Sequence, residues 1–386
     1  MSRQLLILLA AAGLLLNGCA TVSDAVDAIN PFASTAPKMA PLDKLTATAD
    51  VRNQWSTSIG KAADYTFTPA VVGDVVYVAG HNGKVSKLVD GKVAWTIDAG
   101  QPLSAGVGAN GNIVVVGTPK GEVLAFSTED GKAKWKAKVS SEVLAAPRVG
   151  DDGVAVKSGD NQVFLLDAGD GGRKWVYQRS TPPLSVRGAG SPVFADRYLF
   201  VGYPGGKLLA LSLQNGAPVW EGTVALPKGA TELDRVADIV ASPVVDGQQI
   251  CAVAFQGRVA CFDMGQGGAM IWSRDLSSVT GLAMDGRYLF VADDKGSVYG
   301  LDRQTGSSLW KQDKLKNRRL SAPVVRRGLV AVADGEGIVH FMSREDGSFA
   351  ARQKTDGTPV RAPLQLLGSS VLVQTTGGSV SAIEAQ

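Results

Sequence analysis

The sequence predicts an all-β protein, an eight-bladed β-propeller of four-stranded antiparallel blades, and does so on three grounds. All seven tryptophans (Trp55, Trp95, Trp135, Trp175, Trp220, Trp272 and Trp310) occupy one position of a repeating unit, at spacings of 40, 40, 40, 45, 52 and 38 residues. Eight glycine-led or asparagine-led hairpins accompany them, beginning near Gly83, Gly121, Asn161, Gly206, Gly257, Gly296, Gly337 and Gly378. The 336 residues from 51 to 386 divide into eight units of 42, the period expected of a propeller blade. Seven blades is the competing count.

Each strand of the unit has its own signal. A β-branched or aromatic run precedes each hairpin, as in Val75-Val76-Tyr77-Val78, Ile113-Val114-Val115-Val116 and Tyr198-Leu199-Phe200-Val201, the composition that suits a pleated, buried surface. After the hairpin, Asp-Gly or Asn-Gly pairs at 90–91, 130–131, 215–216 and 346–347 supply the positive φ of tight turns. The outer strand with its Trp follows. No amphipathic helical period longer than about three turns occurs past residue 50. The last two copies are degenerate: Ala351 stands where a Trp is expected, and the hairpin at Gly378 stops at the C-terminus. The span from residue 51 opens with an outer strand, Gln54 to Ile59, that has no hairpin before it. This strand therefore completes the last blade, closing the ring and removing its free edge.

Ahead of the ring, residues 1–18 combine Arg3, an apolar run from Leu5 to Leu16 and Leu16-Asn17-Gly18-Cys19. The run is too short to span a bilayer and resembles a bacterial lipoprotein signal. The resemblance implies that Cys19 is lipidated and, with Ala20 rather than Asp following it, sorted to the outer membrane, where two or three acyl chains give a stable anchor. An ordinary secretory signal is the alternative. Residues 19–50 read as a lipidated flexible tether, with one short helix over 22–29. The expected location is the outer membrane, facing the periplasm.

Little points to catalysis. Net charge is +3, and the basic positions Lys316, Arg318, Arg319, Arg326 and Arg327 have no interleaved aromatics, so nucleic acid is not expected as a partner. His81 lies in a loop and His340 in a strand, without a nucleophile placed by sequence. Asp151-Asp152, Asp293-Asp294 and Asp334-Gly335-Glu336 coincide with turns and lack the spacing of a calcium loop, so no metal is expected. Cys251 and Cys261 sit on the two arms of a hairpin turning at Gln256-Gly257. Either they form a disulfide, as an oxidising compartment allows, or Cys261 is a buried small side chain like Ala125 and Ala210 in other blades.

The Leu301-Asp302…Thr305-Gly306…Trp310 pattern resembles the tryptophan-docking motif of quinoprotein dehydrogenases, which carry pyrroloquinoline quinone in an eight-bladed propeller. That motif concerns blade packing. The adjacent cysteine pair typical of many such enzymes is missing and the chain is much shorter, so no cofactor is expected and fold likeness does not transfer the activity.

Two connections break the regularity. From Trp to the Pro opening the next inner strand, the distances are 14 (Trp55 to Pro69), 12 (Trp135 to Pro147) and 13 residues (Trp310 to Pro323). Trp175 to Pro192 takes 17 and Trp220 to Pro243 takes 23. Equivalent connections of neighbouring blades emerge side by side, so exposed aliphatics, an arginine and carboxylates share one face, a composition suited to a protein interface. Two solvated loops paired by their own ions are the bland alternative.

Together with the lipobox and the Trp-punctuated blades, these loops resemble the propeller lipoprotein of the outer-membrane β-barrel assembly machinery, over essentially the whole chain. The resemblance implies a non-enzymatic scaffold that binds the periplasmic (POTRA) domains of the central barrel subunit and assists folding and insertion of outer-membrane proteins. The family's Leu-x-aliphatic-Arg-Gly loop matches Leu184, Val186 and Arg187, and its Asp-Arg-x-x-Asp loop matches Asp234, Arg235 and Asp238. A further acidic residue common in the family is Val240 here. The implied contacts are Leu184 and Val186 on an apolar strip, Arg187 on a carboxylate, and Asp234 and Asp238 on basic groups. Strand addition of unfolded clients to the outer blade edges is a softer second mode. Two other functions compete: a quinoprotein dehydrogenase, which would show a chromophore, and an envelope adhesion or glycan-binding propeller, which would bind without the 184–187 loop.

Overall fold

The computed structural model describes residues 37–386. Seven consecutive blades each use four strands in chain order, beginning with Ala70–Val72, Val75–Ala79, Lys84–Val89 and Lys92–Asp98. The eighth joins Gln365–Leu367, Ser370–Gln374 and Ser379–Ala385 to Val51–Ser58. That N-terminal strand runs antiparallel to Ser379–Ala385, with Val51 opposite Ala385 and Ser58 opposite Ser379. The predicted closure of the ring is thus present. An additional short strand, Thr66–Phe67, runs parallel to Ala105–Ala109 at the second blade. The only helix among the described residues is a 3-10 turn, Met264–Gln266.

The repeat has a physical explanation at the joints between blades. Each Trp lies on an outer strand just past a β-bulge; in the sixth blade Gly300 faces Trp310 while Leu301 already faces Ser308. The bulge aims the indole out of its own blade and into the next one. There the ring N–H donates to a carbonyl: Trp135 to Ala168 (2.9 Å), Trp175 to Leu213 (2.9 Å), Trp272 to Arg303 (2.8 Å) and Trp310 to Arg344 (2.8 Å). The indole face rests on the glycine of that turn. A Cβ on Gly216, Gly306 or Gly347 would stand 2.6, 2.4 or 2.5 Å from the ring beneath it, and these glycines have φ of 73°, 71° and 71°. Glycine is therefore required twice, by the turn and by the ring.

The one missing Trp falls at the seam. The eighth blade borrows its outer strand from the N-terminus, so it has no turn on which an indole could dock. Thr48 N–H instead donates to Ala350 O (2.8 Å), and Asp50 and Gln386 exchange two backbone hydrogen bonds (3.1 and 3.0 Å). Ala49 and Val51 pack beside Ala351.

The flexible tether anticipated over residues 19–50 is shorter at its C-terminal end. From Ala40 onward the chain is fastened to the ring: Ala40 N–H donates to Lys316 O (2.9 Å), Arg318 to Ala40 O (2.9 Å) and Arg352 to Asp43 O (2.6 Å). Leu42 packs against the core of the sixth and seventh blades. An extended segment without strand pattern can still be fixed through its backbone carbonyls, which leave no periodicity to read. The signal over residues 1–18, Cys19 and the short helix over 22–29 lie outside the described residues.

Cys251 and Cys261 face one another across a strand pair, 4.1 Å apart at Cα, and form a disulfide. Both are fully buried, and Cys261 also lies opposite Trp272. The bridge and the small-side-chain reading hold at once.

Candidate functional site

The two stretched connections follow the third and fourth blades, and they do lie together. Gly190 N–H donates to Val240 O (2.9 Å) and Ser191 N–H to Ser242 Oγ (2.9 Å). A Cβ on Gly188 would stand 2.8 Å from the Cβ of Val240, so glycine is what lets the loops touch.

The second connection has two unlike halves. Residues 226–235 are exposed, whereas Val236, Ala237, Asp238, Ile239, Val240 and Ala241 are buried. Leu233 (71 %) and Leu226 (62 %) are the most exposed large apolar side chains among the described residues, and Leu184 on the first loop reaches 46 %. Asp234 accepts hydrogen bonds from the N–H and hydroxyl of Thr231 (3.1 and 2.7 Å), which hold its carboxyl below the usual range. Arg235 pairs with Glu232 (3.2 Å) and donates to Gly229 O (3.1 Å). These contacts stiffen the exposed half locally and leave both charges at the surface.

Asp238 departs from its expected role. It is 2 % exposed, and its two oxygens accept the N–H groups of Val186 (2.7 Å) and Gly205 (2.9 Å). It is a latch holding the 184–188 loop, not a carboxylate turned toward a partner. Beneath it, burial pushes the Lys157 ammonium down to about 8, with Asp238 opposing the shift. Lys157 donates to Gly202 O (2.8 Å) and sits over the Tyr203 ring. Val240 is likewise buried, so at this position the chain packs an aliphatic group and presents no charge. Arg187 is exposed and paired with Glu142 of the preceding connection. An exposed pair of this kind is worth only about 0.2–1 kcal/mol, so a partner's carboxylate can displace Glu142.

Of the six anticipated residues, the structure sets Leu184, Arg187, Asp234 and Arg235 on the surface, Val186 half-buried and Asp238 inside. Sequence reasoning missed Leu226, Leu233, Glu142 and Lys157. The two leucines carried a usable signal, since both fall inside the longest interval between tryptophans. Lys157 and Glu142 carried none, because only the ring brings other blades to this loop.

A family profile described as outer membrane protein assembly factor BamB matches residues 85–312. The outer membrane protein assembly factor BamB of Bordetella pertussis is 40 % identical over 374 residues, covering 96 % of this chain and 95 % of that one. The Pseudomonas aeruginosa protein of the same name is 46 % identical over 334 residues, covering 85 % and 88 %. The chain belongs to the BamB family. A crystal structure of BamB from Moraxella catarrhalis superposes with a TM-score of 0.81 at 29 % identity, covering 87 % of this chain and all of that one. The relatives carry the name of an assembly factor, a non-enzymatic accessory role.

The BamB fold is also that of the quinohemoprotein alcohol dehydrogenase of Comamonas testosteroni, with a TM-score of 0.68 at 12 % identity over 86 % of this chain and 76 % of that one, a likeness of fold alone. The residues here do not fit its type of cofactor. A quinone bearing three carboxylates needs several cations, and the central channel of this BamB-family chain is lined by apolar and neutral polar side chains with Arg148 as its single charge among the described residues. The other polar candidates serve the fold. His81 Nδ1 bonds to Leu103 O (2.7 Å). His340 is buried against Asp334 (2.8 Å), which also binds Arg318 (2.7 Å), a partner no sequence spacing revealed. Asp293 and Asp334 accept backbone N–H groups of their own turns, as the turn assignment expects.

Proposed function

We propose that this BamB-family chain, whose family role is in outer-membrane protein assembly, binds the periplasmic POTRA domains of the central barrel subunit through the face formed by residues 184–187 and 226–235. The observation that carries it is the coincidence of three exposed leucines, Leu184, Leu226 and Leu233, with exposed Arg187 and Asp234 on the only two enlarged connections of the ring. Apolar anchors rimmed by charges are the usual composition of an interface centre. Lipidation at Cys19 would hold this scaffold on the periplasmic side of the outer membrane. Arg187→Ala should weaken co-purification with the barrel subunit strongly while leaving the ring's thermal midpoint in place, and Leu184→Asp should do the same. Unchanged capture by either variant would reject the site.

A second contact mode has its own observation. The outer strands keep a free edge and show apolar side chains to solvent, among them Val93, Val219, Met270, Ile271 and Leu309. Such edges suit strand addition by unfolded outer-membrane clients. Crosslinking from position 219 or 271 to a client segment would support it, and crosslinks confined to residues 184–235 would reject it.

A further inference from the structure

The central channel holds a group that neither the ring nor the partner face uses. Its wall is built from the inner strands, with Val149, Phe194, Val245, Leu282, Val324 and Leu366 among the apolar contributors, and the larger space encloses about 590 Å3. That is the size of a small-molecule site. Arg148 lies on this wall and on that of the adjoining space of about 490 Å3. Among the described residues its guanidinium makes no hydrogen bond or ion pair, and its Nε is buried without an acceptor. Burial lowers its pKa, with no carboxylate offsetting the effect. Asp151, Asp152 and Asp196 border a separate space beside the third and fourth blades and are not paired with it. The other polar side chains on this wall are neutral, Thr68, Ser191, Ser242, Thr280 and Gln365; Ser191 donates to Ala146 O (2.8 Å), and Ser242 accepts the Ser191 N–H (2.9 Å).

Arg148 is half-buried, with its Nε fully covered, and an unpaired guanidinium on this largely apolar wall lacks the counter-charge that buried ions ordinarily have. We propose that the channel binds a monoanionic amphiphile, an aliphatic chain ending in a carboxylate, whose head meets Arg148 and whose chain lies along the apolar wall. The planar guanidinium suits two parallel hydrogen bonds to one carboxylate, and the aliphatic stem gains by leaving water. The single cation sets the charge: a trianion would leave two charges bare, and a cationic head would be repelled.

Calorimetric titration of the full chain with octanoate, and with octanol and octylammonium of equal chain length, tests this. Octanoate is expected to bind one per chain, at least about tenfold more tightly than either control, and Arg148→Gln to lose about tenfold or more of that affinity, the worth of a charge-assisted hydrogen bond. Arg148→Lys should retain part of it. Ala283→Phe, which narrows the channel without touching the cation, should also weaken binding and keeps the test decisive if Arg148→Gln fails to fold. No octanoate binding, equal binding of octanol, full affinity in a folded Arg148→Gln, or full affinity in Ala283→Phe would overturn the proposal.

Discussion

At a regular joint such as Trp310 on Gly347, one indole contributes a buried face and one hydrogen bond (2.8 Å to Arg344 O), and the neighbouring blade contributes a glycine that makes room for it. Around the stretched connections the link is different. The same kind of indole docking persists, from Trp175 to Leu213 O at 2.9 Å, but the chain above it is held by the buried Asp238, with Lys157 and Tyr203 beneath. The regular joint uses short-range geometry that is copied seven times. The stretched one uses polar groups from the third and fourth blades and the connections that follow them, a solution specific to one place, and so leaves its outer half free to carry exposed leucines and charges.

Substitutions can separate the two kinds of link. The largest loss is expected at a regular joint: Gly306→Val places a β-branched side chain at φ of 71° and a Cβ 2.4 Å from the Trp272 ring, costing about 3 kcal/mol or more. Urea unfolding measures it, and a loss under about 1 kcal/mol would show that the joint yields easily. Asp238→Ala comes next, at roughly 2–3 kcal/mol, because two buried N–H groups lose their acceptor and Lys157 loses its counter-charge. It should weaken POTRA capture as well, with Arg187 intact, and wild-type capture would show that the latch does not position the loop.

A smaller effect is the pH response of Lys157. Its folded pKa, about 8, lies below the ordinary value for lysine, so between about 8 and about 10.5 the unfolded chain binds a proton that the folded chain does not. Stability therefore rises with pH across that window through this group. Lys157→Met should remove that component of the rise, seen as the difference between urea midpoints of the two proteins from pH 7 to 10.5. The smallest stability change is expected for Arg187→Ala, at most about 1 kcal/mol, with the strongest effect on partner capture.

The blade count, the closing strand and the Trp positions were legible because they follow from local chemistry repeated at a fixed period. Asp90-Gly91 and Asn215-Gly216 announce turns, and the indoles announce the outer strands. The place of the candidate face was legible too, from the intervals of 45 and 52 residues. The inward turn of Asp238 was not, because a carboxylate in a polar loop has the same sequence signature whether it meets solvent or two N–H groups. The fastening of Ala40 and Asp43 was hidden likewise, since its donors, Arg318 and Arg352, lie some 280 and 310 positions away (278 and 309).

What the sequence alone determined is the ring: alternation, turn residues and one aromatic per unit are short-range signals, and repetition multiplies them until only one architecture fits. What the tertiary structure decided is the use of each charged or exposed group. Asp238 became a latch, Lys157 its partner, Leu226 and Leu233 the exposed crest of the face, and Arg148 a solitary cation in the channel. Closing the ring brings inner strands and connections of different blades together across long stretches of chain, and the energy of a polar group depends on those neighbours and on its distance from water, neither of which a local pattern records.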